Sequence, residues 1–214
     1  MTRAEKRQKT VWFILMLAYF GLGYMLINRI MQGRAHFFDV SMGFESAIPF
    51  VPEFIFGYCL VFLSVFLAYL VIDDMDVWMR GIRAFAIATT LAYIFYLAFP
   101  VRMDLRPAFV EGHGFVAWAT GTYFKVDLPY NCLPSLHVTY PALVTMLVWP
   151  CHSRLRWLFL AMALTVSVSV ILVKQHYIAD VIAGIANASL CYWLTIAYER
   201  YTLVRRERSL VAAQ

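Results

Sequence analysis

Two short stretches hold the residues whose types and spacing could do chemistry: "NCLPSLHV" at 131–138 and "VKQHYIAD" at 173–180. In the first, Pro134 follows a polar segment and precedes an apolar run, a setting that favours the opening turn of a helix. Ser135 and His137 then fall at a helix N-terminus, where free backbone N–H groups and the helix dipole favour an anion such as phosphate. In the second stretch His176 and Asp180 are four residues apart and share one face if the segment is helical. A carboxylate there can accept one imidazole N–H, fixing the tautomer and leaving the other nitrogen free as nucleophile or base. Simpler readings exist for each: a capping serine beside an interfacial histidine, and a buried polar pair that satisfies itself. Taken together, one histidine could attack phosphorus while the other protonates the departing oxygen. Arg102, Arg106 and Lys174 are the cations that could neutralise the phosphoryl oxygens.

The elements that must position these residues are apolar. The chain of 214 residues is 62% hydrophobic and 14% charged, with a mean hydropathy of +0.68, whereas soluble domains run nearer half apolar and a quarter charged. Six stretches approach the roughly twenty residues that a bilayer span requires: 10–30, 54–72, 81–99, 134–150, 157–174 and 180–197. The expected fold is an all-α integral membrane protein, a six-transmembrane-helix bundle forming a single domain over 1–214. Its basic tails would be 1–9 and 198–214, and the C-terminal "RRER" would anchor it in the cytoplasm. The N-terminal run is longer than a signal-peptide core and long enough to span, so it reads as an uncleaved first helix.

The net charge of +5 comes from basic residues gathered at the ends of the apolar runs. That is a membrane-topology pattern and not a nucleic-acid patch. With the N-terminus in the cytoplasm, twelve of the eighteen Lys and Arg residues fall on the cytoplasmic side, as the positive-inside rule requires, and both termini face inward. Both reactive stretches then lie on the opposite side. The expected location is the plasma membrane (in a bacterium, the inner membrane), with the active site on the extracellular or periplasmic face.

On that side lies the longest connection, 100–133, carrying Arg102, Asp104, Arg106, Glu111, His113, Lys125 and Asp127; long connections in compact proteins are often functional. His113, flanked by glycine, reads as a solvated loop residue. Residues 31–53 suit an interfacial stretch, with Asp39 and Glu45 at the headgroups or closing the site. Cys59, Cys132, Cys151 and Cys191 show no metal-ligand spacing and no disulfide framework. Those inside apolar runs read as small hydrophobes.

The order and content of three blocks resemble the type-2 phosphatidic acid phosphatase superfamily of integral membrane lipid phosphatases and phosphotransferases. That family shows a basic residue followed by Arg-Pro, then Pro-Ser-x-His, then Ser-Arg-x5-His-x3-Asp. Here the blocks are Arg106–Pro107, "PSLH" at 134–137 and "HYIAD" at 176–180, and the resemblance extends over roughly 45–190. It implies His176 as a nucleophile forming a phosphohistidine, Asp180 as its orienting partner and His137 as general acid. Ser135 and Arg106 would bind the phosphoryl oxygens. No cofactor is implied.

Three positions depart from the pattern. Phe99 stands where the first lysine would be, with Arg102 the nearest substitute. Leu136 replaces a glycine, and Val170 replaces the last block's arginine. Lys174 could restore that charge, although a point charge is not a bidentate guanidinium. The altered pattern, with "IPFVPEF", "FPVR", "PSLHV" and "KQHY", resembles the branch that includes the inositol phosphorylceramide synthases. Transfer of a phosphoryl or phospho-headgroup to a lipid acceptor therefore stands beside hydrolysis. Phosphatidate, phosphatidylglycerol phosphate, polyprenyl diphosphate and a sphingolipid acceptor all suit generic apolar walls.

Two other function classes compete. His137, His176 and Asp180, with His113, could bind zinc. A transporter could use intramembrane polar groups as a relay, but it would carry them at mid-membrane on several helices, with an inverted repeat. Here they collect at one face and no repeat is visible.

Overall fold

The computed structural model describes residues 1–110, 114–152 and 154–211. Among them seven α-helices follow one another: α1 Arg3–Gln32, α2 Ile55–Val71, α3 Met75–Ala98, α4 Phe115–Val126, α5 Leu136–Val148, α6 Leu155–Leu172 and α7 Ile178–Val211. Short 3-10 turns at Glu45–Ala47 and Pro52–Phe54 lead into α2. The described residues contain no β-sheet, only an isolated bridge between Phe38 and Val101.

Local signals account for several helix starts. Thr2 and Glu5 form a reciprocal capping box at α1, which satisfies two otherwise free backbone donors. Asp74 accepts from the N–H groups of Asp76 and Val77 at the start of α3.

Five helices are long and apolar enough to cross a membrane: α1, α2 with its preceding turn, α3, α6 and α7. Large apolar side chains project outward from them, among them Leu22, Phe62, Ile94, Leu164 and Trp193. A surface of this kind suits lipid and not water, and the chain is a multi-pass membrane protein.

The fourth expected span, 134–150, is a helix of only 13 residues. At 1.5 Å per residue it covers about 20 Å, short of a hydrocarbon core of about 30 Å. α5 is instead the hub of the bundle, packed against α2, α3, α6 and α7, with nearly every residue buried. A helix that is apolar all round belongs in the middle of a bundle.

Other expectations change in the structure. The supposed tail from 198 continues α7 as far as Val211. Glu45, read as facing headgroups or closing the site, is buried and not at the headgroups: its carboxylate accepts from the N–H groups of Met42 and Ile178, the latter at the start of α7. The long connection contains a helix, α4, that covers the N-terminal part of α2 and the turn before it.

Two glycines set close helix approaches. A Cβ on Gly184 of α7 would stand 2.7 Å from the Ser135 carbonyl oxygen. On Gly57 of α2 it would stand 2.2 Å from the Ser169 hydroxyl of α6.

Candidate active site

The start of α5 and the start of α7 are locked together. Ser135 caps α5, accepting from the Val138 N–H at 3.4 Å, and its own N–H donates to the Asp180 carbonyl at 3.1 Å. One turn later the Thr139 hydroxyl donates to the Gly184 carbonyl at 3.0 Å. Pro134 lies just outside the helix, ahead of the cap, and its carbonyl accepts from the Tyr96 hydroxyl of α3 at 2.8 Å. These contacts place His137 in the first turn of α5, directly beside the start of α7.

His176 and Asp180 do not share a helix face, because α7 begins at Ile178. His176 sits in the turn between α6 and α7, where its N–H donates to the Val170 carbonyl at 3.1 Å. Asp180, in the first turn of α7, reaches back over that turn. Its Oδ2 is 3.3 Å from His176 Nδ1 and accepts the Tyr177 N–H at 2.8 Å. Its other oxygen has no hydrogen-bond partner among the described residues.

His176 Nε2 then faces His137 Nδ1 at 3.5 Å. Both rings are buried, 4% and 6% exposed, and Asp180 is fully buried. With Asp180 accepting from Nδ1, the neutral His176 ring carries its lone pair on Nε2, which is the form a nucleophile needs.

The cations are distributed unequally. Arg106 binds three groups across two loops. Nη1 donates to the Asp127 carbonyl at 2.7 Å, Nε to the Lys174 carbonyl at 3.5 Å, and Nη2 to the Gln175 side-chain oxygen. The guanidinium also lies 4.5 Å from the Phe124 ring centroid. It therefore ties the loop carrying Asp127 to the turn carrying His176. Lys174 sends its ammonium to the Glu45 carbonyl at 2.9 Å. Burial pushes its pKa down, against the opposing pull of the Glu45 carboxylate. Arg102 pairs with Asp104 at 2.6 Å, on an exposed part of the loop, and stacks over Phe37. Neither Lys174 nor Arg102 has a hydrogen bond to the histidines.

Two of the three departures from the family motif are filled by packing. Val170 is fully buried in the core, and Phe99 stacks on Phe38 with centroids 3.9 Å apart.

Three tyrosines at this site gave no sign of themselves in the sequence, and Asp127 stands there only among the polar residues of the long connection. The Tyr58 hydroxyl is 2.6 Å from His137 Nε2 and donates to Asp127 Oδ2 at 2.7 Å. Tyr24 donates to Asp127 Oδ1 at 2.8 Å, and Tyr123 donates to the Tyr58 oxygen at 3.3 Å. Tyrosines are common in membrane helices as anchors and packing, and Asp127 looked like one more acid in a polar loop. Only their convergence on His137 sets them apart.

Of the residues weighed for zinc, His176 and Asp180 do stand with a third ligand type, Cys132, their ligand atoms all within 4.8 Å of one another. His113 lies outside the described residues.

Beside His137 a cavity of about 250 Å³ opens between α1, α2 and α5, walled by Phe13, Leu17, Phe20, Val61, Val65 and Phe66 among others. Among the described residues, His137 and Tyr140 bring the only polar side chains to its lining.

A family model described as the PAP2 superfamily matches residues 50–194. The chain belongs to that superfamily. The matched span contains all the residues just described except Tyr24, Phe37, Phe38, Met42, Glu45 and the α1 wall of the cavity. Membership gives the protein phosphatase or phosphotransferase chemistry in general, on lipid phosphates in a membrane. No curated protein and no solved structure matches the chain.

Proposed function

We propose that the protein is a metal-independent membrane lipid phosphatase working through a phosphohistidine on His176. The observation that carries this reading is the buried Asp180–His176–His137 row, which pairs an oriented nucleophile with a second imidazole able to move a proton. In the first step His137 enters as the imidazolium, with a proton on each ring nitrogen; His176 Nε2 bonds to phosphorus, the phosphorus–oxygen bond to the lipid alcohol or phosphate breaks, and the departing oxygen takes the Nδ1 proton. In the second, water gives a proton to His137 Nδ1 as its oxygen attacks phosphorus, and the bond to His176 breaks. Arg106 and the start of α5, with the Ser135 hydroxyl, are the groups available to phosphoryl oxygens.

The two reactive nitrogens at 3.5 Å leave no room for phosphorus and its oxygens between them. Substrate binding must therefore part the rings. The apolar cavity ending at His137 suits the hydrocarbon of a substrate whose phosphate reaches the two histidines. The positive-inside distribution favours this end of the bundle outside the cytoplasm and both termini within it, with the short, buried α5 carrying the chain across as a sixth segment.

Transfer to a lipid alcohol is the second reading. It is favoured by Phe99 and Val170 in place of the usual basic residues, the pattern of the inositol phosphorylceramide synthase branch. It is also favoured by a hydrocarbon-walled approach to His137, through which a lipid hydroxyl could arrive in place of water.

Phosphate release by the purified protein in detergent, with chelator present, tests hydrolysis. The panel is phosphatidate, phosphatidylglycerol phosphate and a polyprenyl diphosphate, with His176→Ala as control. Release by the wild type alone is expected. Release only after a divalent metal is added back would refute the metal-independent route. No release without an acceptor, but product with a lipid alcohol present, would move the assignment to transfer.

A further inference from the structure

We infer that Asp127 and Tyr58 are positioning residues for proton transfer by His137, a second carboxylate arm that mirrors the Asp180 arm on His176. The inference rests on the reading of His137 as general acid.

It follows from counting hydrogens. Each tyrosine hydroxyl has one hydrogen to give. Tyr123 spends its own on the Tyr58 oxygen, Tyr24 on Asp127 Oδ1, and Tyr58 on Asp127 Oδ2. With its hydrogen committed to Asp127, Tyr58 can only accept at the 2.6 Å contact with His137 Nε2. Nε2 must therefore carry a hydrogen, and in the neutral ring the lone pair lies on Nδ1, the nitrogen facing His176. The tautomer required for shuttling a proton at the reactive side is set from the other side of the ring.

When His137 takes a second proton, on Nδ1, the Asp127 charge lies one hydroxyl away, in a setting with little water to screen it. Asp127 is 6% exposed and Tyr58 fully buried, and such shielding strengthens a carboxylate's hold on an imidazolium. Asp127 and Tyr58 keep their own protonation states throughout. The proton delivered to the leaving oxygen comes from Nδ1, and Nε2–H stays in place.

The groups facing His137 come from every neighbouring element: Tyr24 of α1, Tyr58 of α2, Asp127 after α4, and His176 with Asp180 at α7. Arg106 holds the Asp127 carbonyl and Gln175 together, so the two arms are joined by one guanidinium. An arm that only packed against His137 would not need a buried carboxylate with both oxygens saturated by hydroxyls.

The experiment compares leaving groups. Phosphoenzyme formation is followed in a single turnover with phosphatidate, whose alkoxide must be protonated as it leaves, and with p-nitrophenyl phosphate, whose leaving group needs no proton. In Asp127→Asn and Tyr58→Phe the rate with phosphatidate should fall about 100-fold while that with p-nitrophenyl phosphate stays within about threefold, the signature of a lost acid. His137→Ala should lose at least as much with phosphatidate. Tyr58→Phe keeps the ring packing if Asp127→Asn does not fold. Equal losses with both substrates, or no loss with either, would overturn the inference. Failure of the wild type itself to form a phosphoenzyme would instead overturn the underlying phosphohistidine reading.

Discussion

The two ends of the bundle use charge in opposite ways. At the end where α3 begins and α7 runs on past residue 198, the paired charges tie helices to one another. Glu199 of α7 takes both Arg80, at 2.7 Å, and Arg83 of α3. Buried Lys9 of α1 donates to the Ile72 carbonyl at 2.6 Å and lies over Tyr69 and Trp78. At the other end, two carboxylates each anchor the far side of a histidine, Asp180 directly and Asp127 through Tyr58. The near sides, Nε2 of His176 and Nδ1 of His137, are left facing one another. A closed network holds helices together; a row that ends in two opposed lone pairs is prepared for something to come between them. The difference lies in which way the partners point: across helices at one end, and behind two facing imidazoles at the other.

The largest effect that would sharpen this contrast is at the proposed nucleophile. His176→Ala should lower kcat by on the order of 10³-fold or more, measured as phosphate release, because no other group can take its part. Activity within tenfold of wild type would remove the histidine end from the chemistry.

Arg106→Lys comes next. The charge is kept but the fork that spans Asp127, Lys174 and Gln175 is lost, so kcat/KM should fall about 10- to 100-fold. A variant of full activity would show that a point charge suffices and that the bridging of the loops is incidental.

Gly184→Ala tests the seam between α5 and α7. The added Cβ at 2.7 Å from the Ser135 carbonyl must push the helices apart, costing about 1–3 kcal/mol and displacing His137 from His176. Activity should drop more than the change in Tm explains. Unchanged activity would mean that the histidine spacing tolerates the shift.

The smallest effect belongs to the closed end. Glu199→Gln leaves two arginines without their carboxylate at a site about a quarter exposed, so the loss of stability should be about 1 kcal/mol at most, with kcat/KM unchanged. A large activity loss there would break the division between the two ends.

Much of this contrast was legible in the sequence. The apolar runs gave the helices, and the scarcity of polar residues made "PSLH" and "HYIAD" stand out. What stayed hidden was relational. His176 and Asp180 are four apart, as a helical pair would be, yet α7 starts between them and the carboxylate folds back over a turn. Helical spacing and a helix-capping turn bring i and i+4 together equally well, so spacing alone could not distinguish them. α5 looked like a short span and proved to be the buried hub, because length reports crossing but not neighbours. Asp127 and Tyr58 lie 69 residues apart, and nothing local in either marks a buried carboxylate held by two tyrosines. For Glu45 the sequence left two places open, at the headgroups or closing the site, and only the fold shows its carboxylate committed to the Ile178 N–H at the start of α7.

The most direct test of the central claim is to trap the intermediate. Purified protein incubated briefly with a labelled lipid phosphate and quenched in alkali should carry label that is stable to base and released by acid, as expected of a phosphorus–nitrogen bond. Peptide mapping should place it on His176, and His176→Ala should carry none. Label on another residue, or an unlabelled protein that nonetheless releases phosphate at the wild-type rate, would contradict the assignment of His176 as nucleophile.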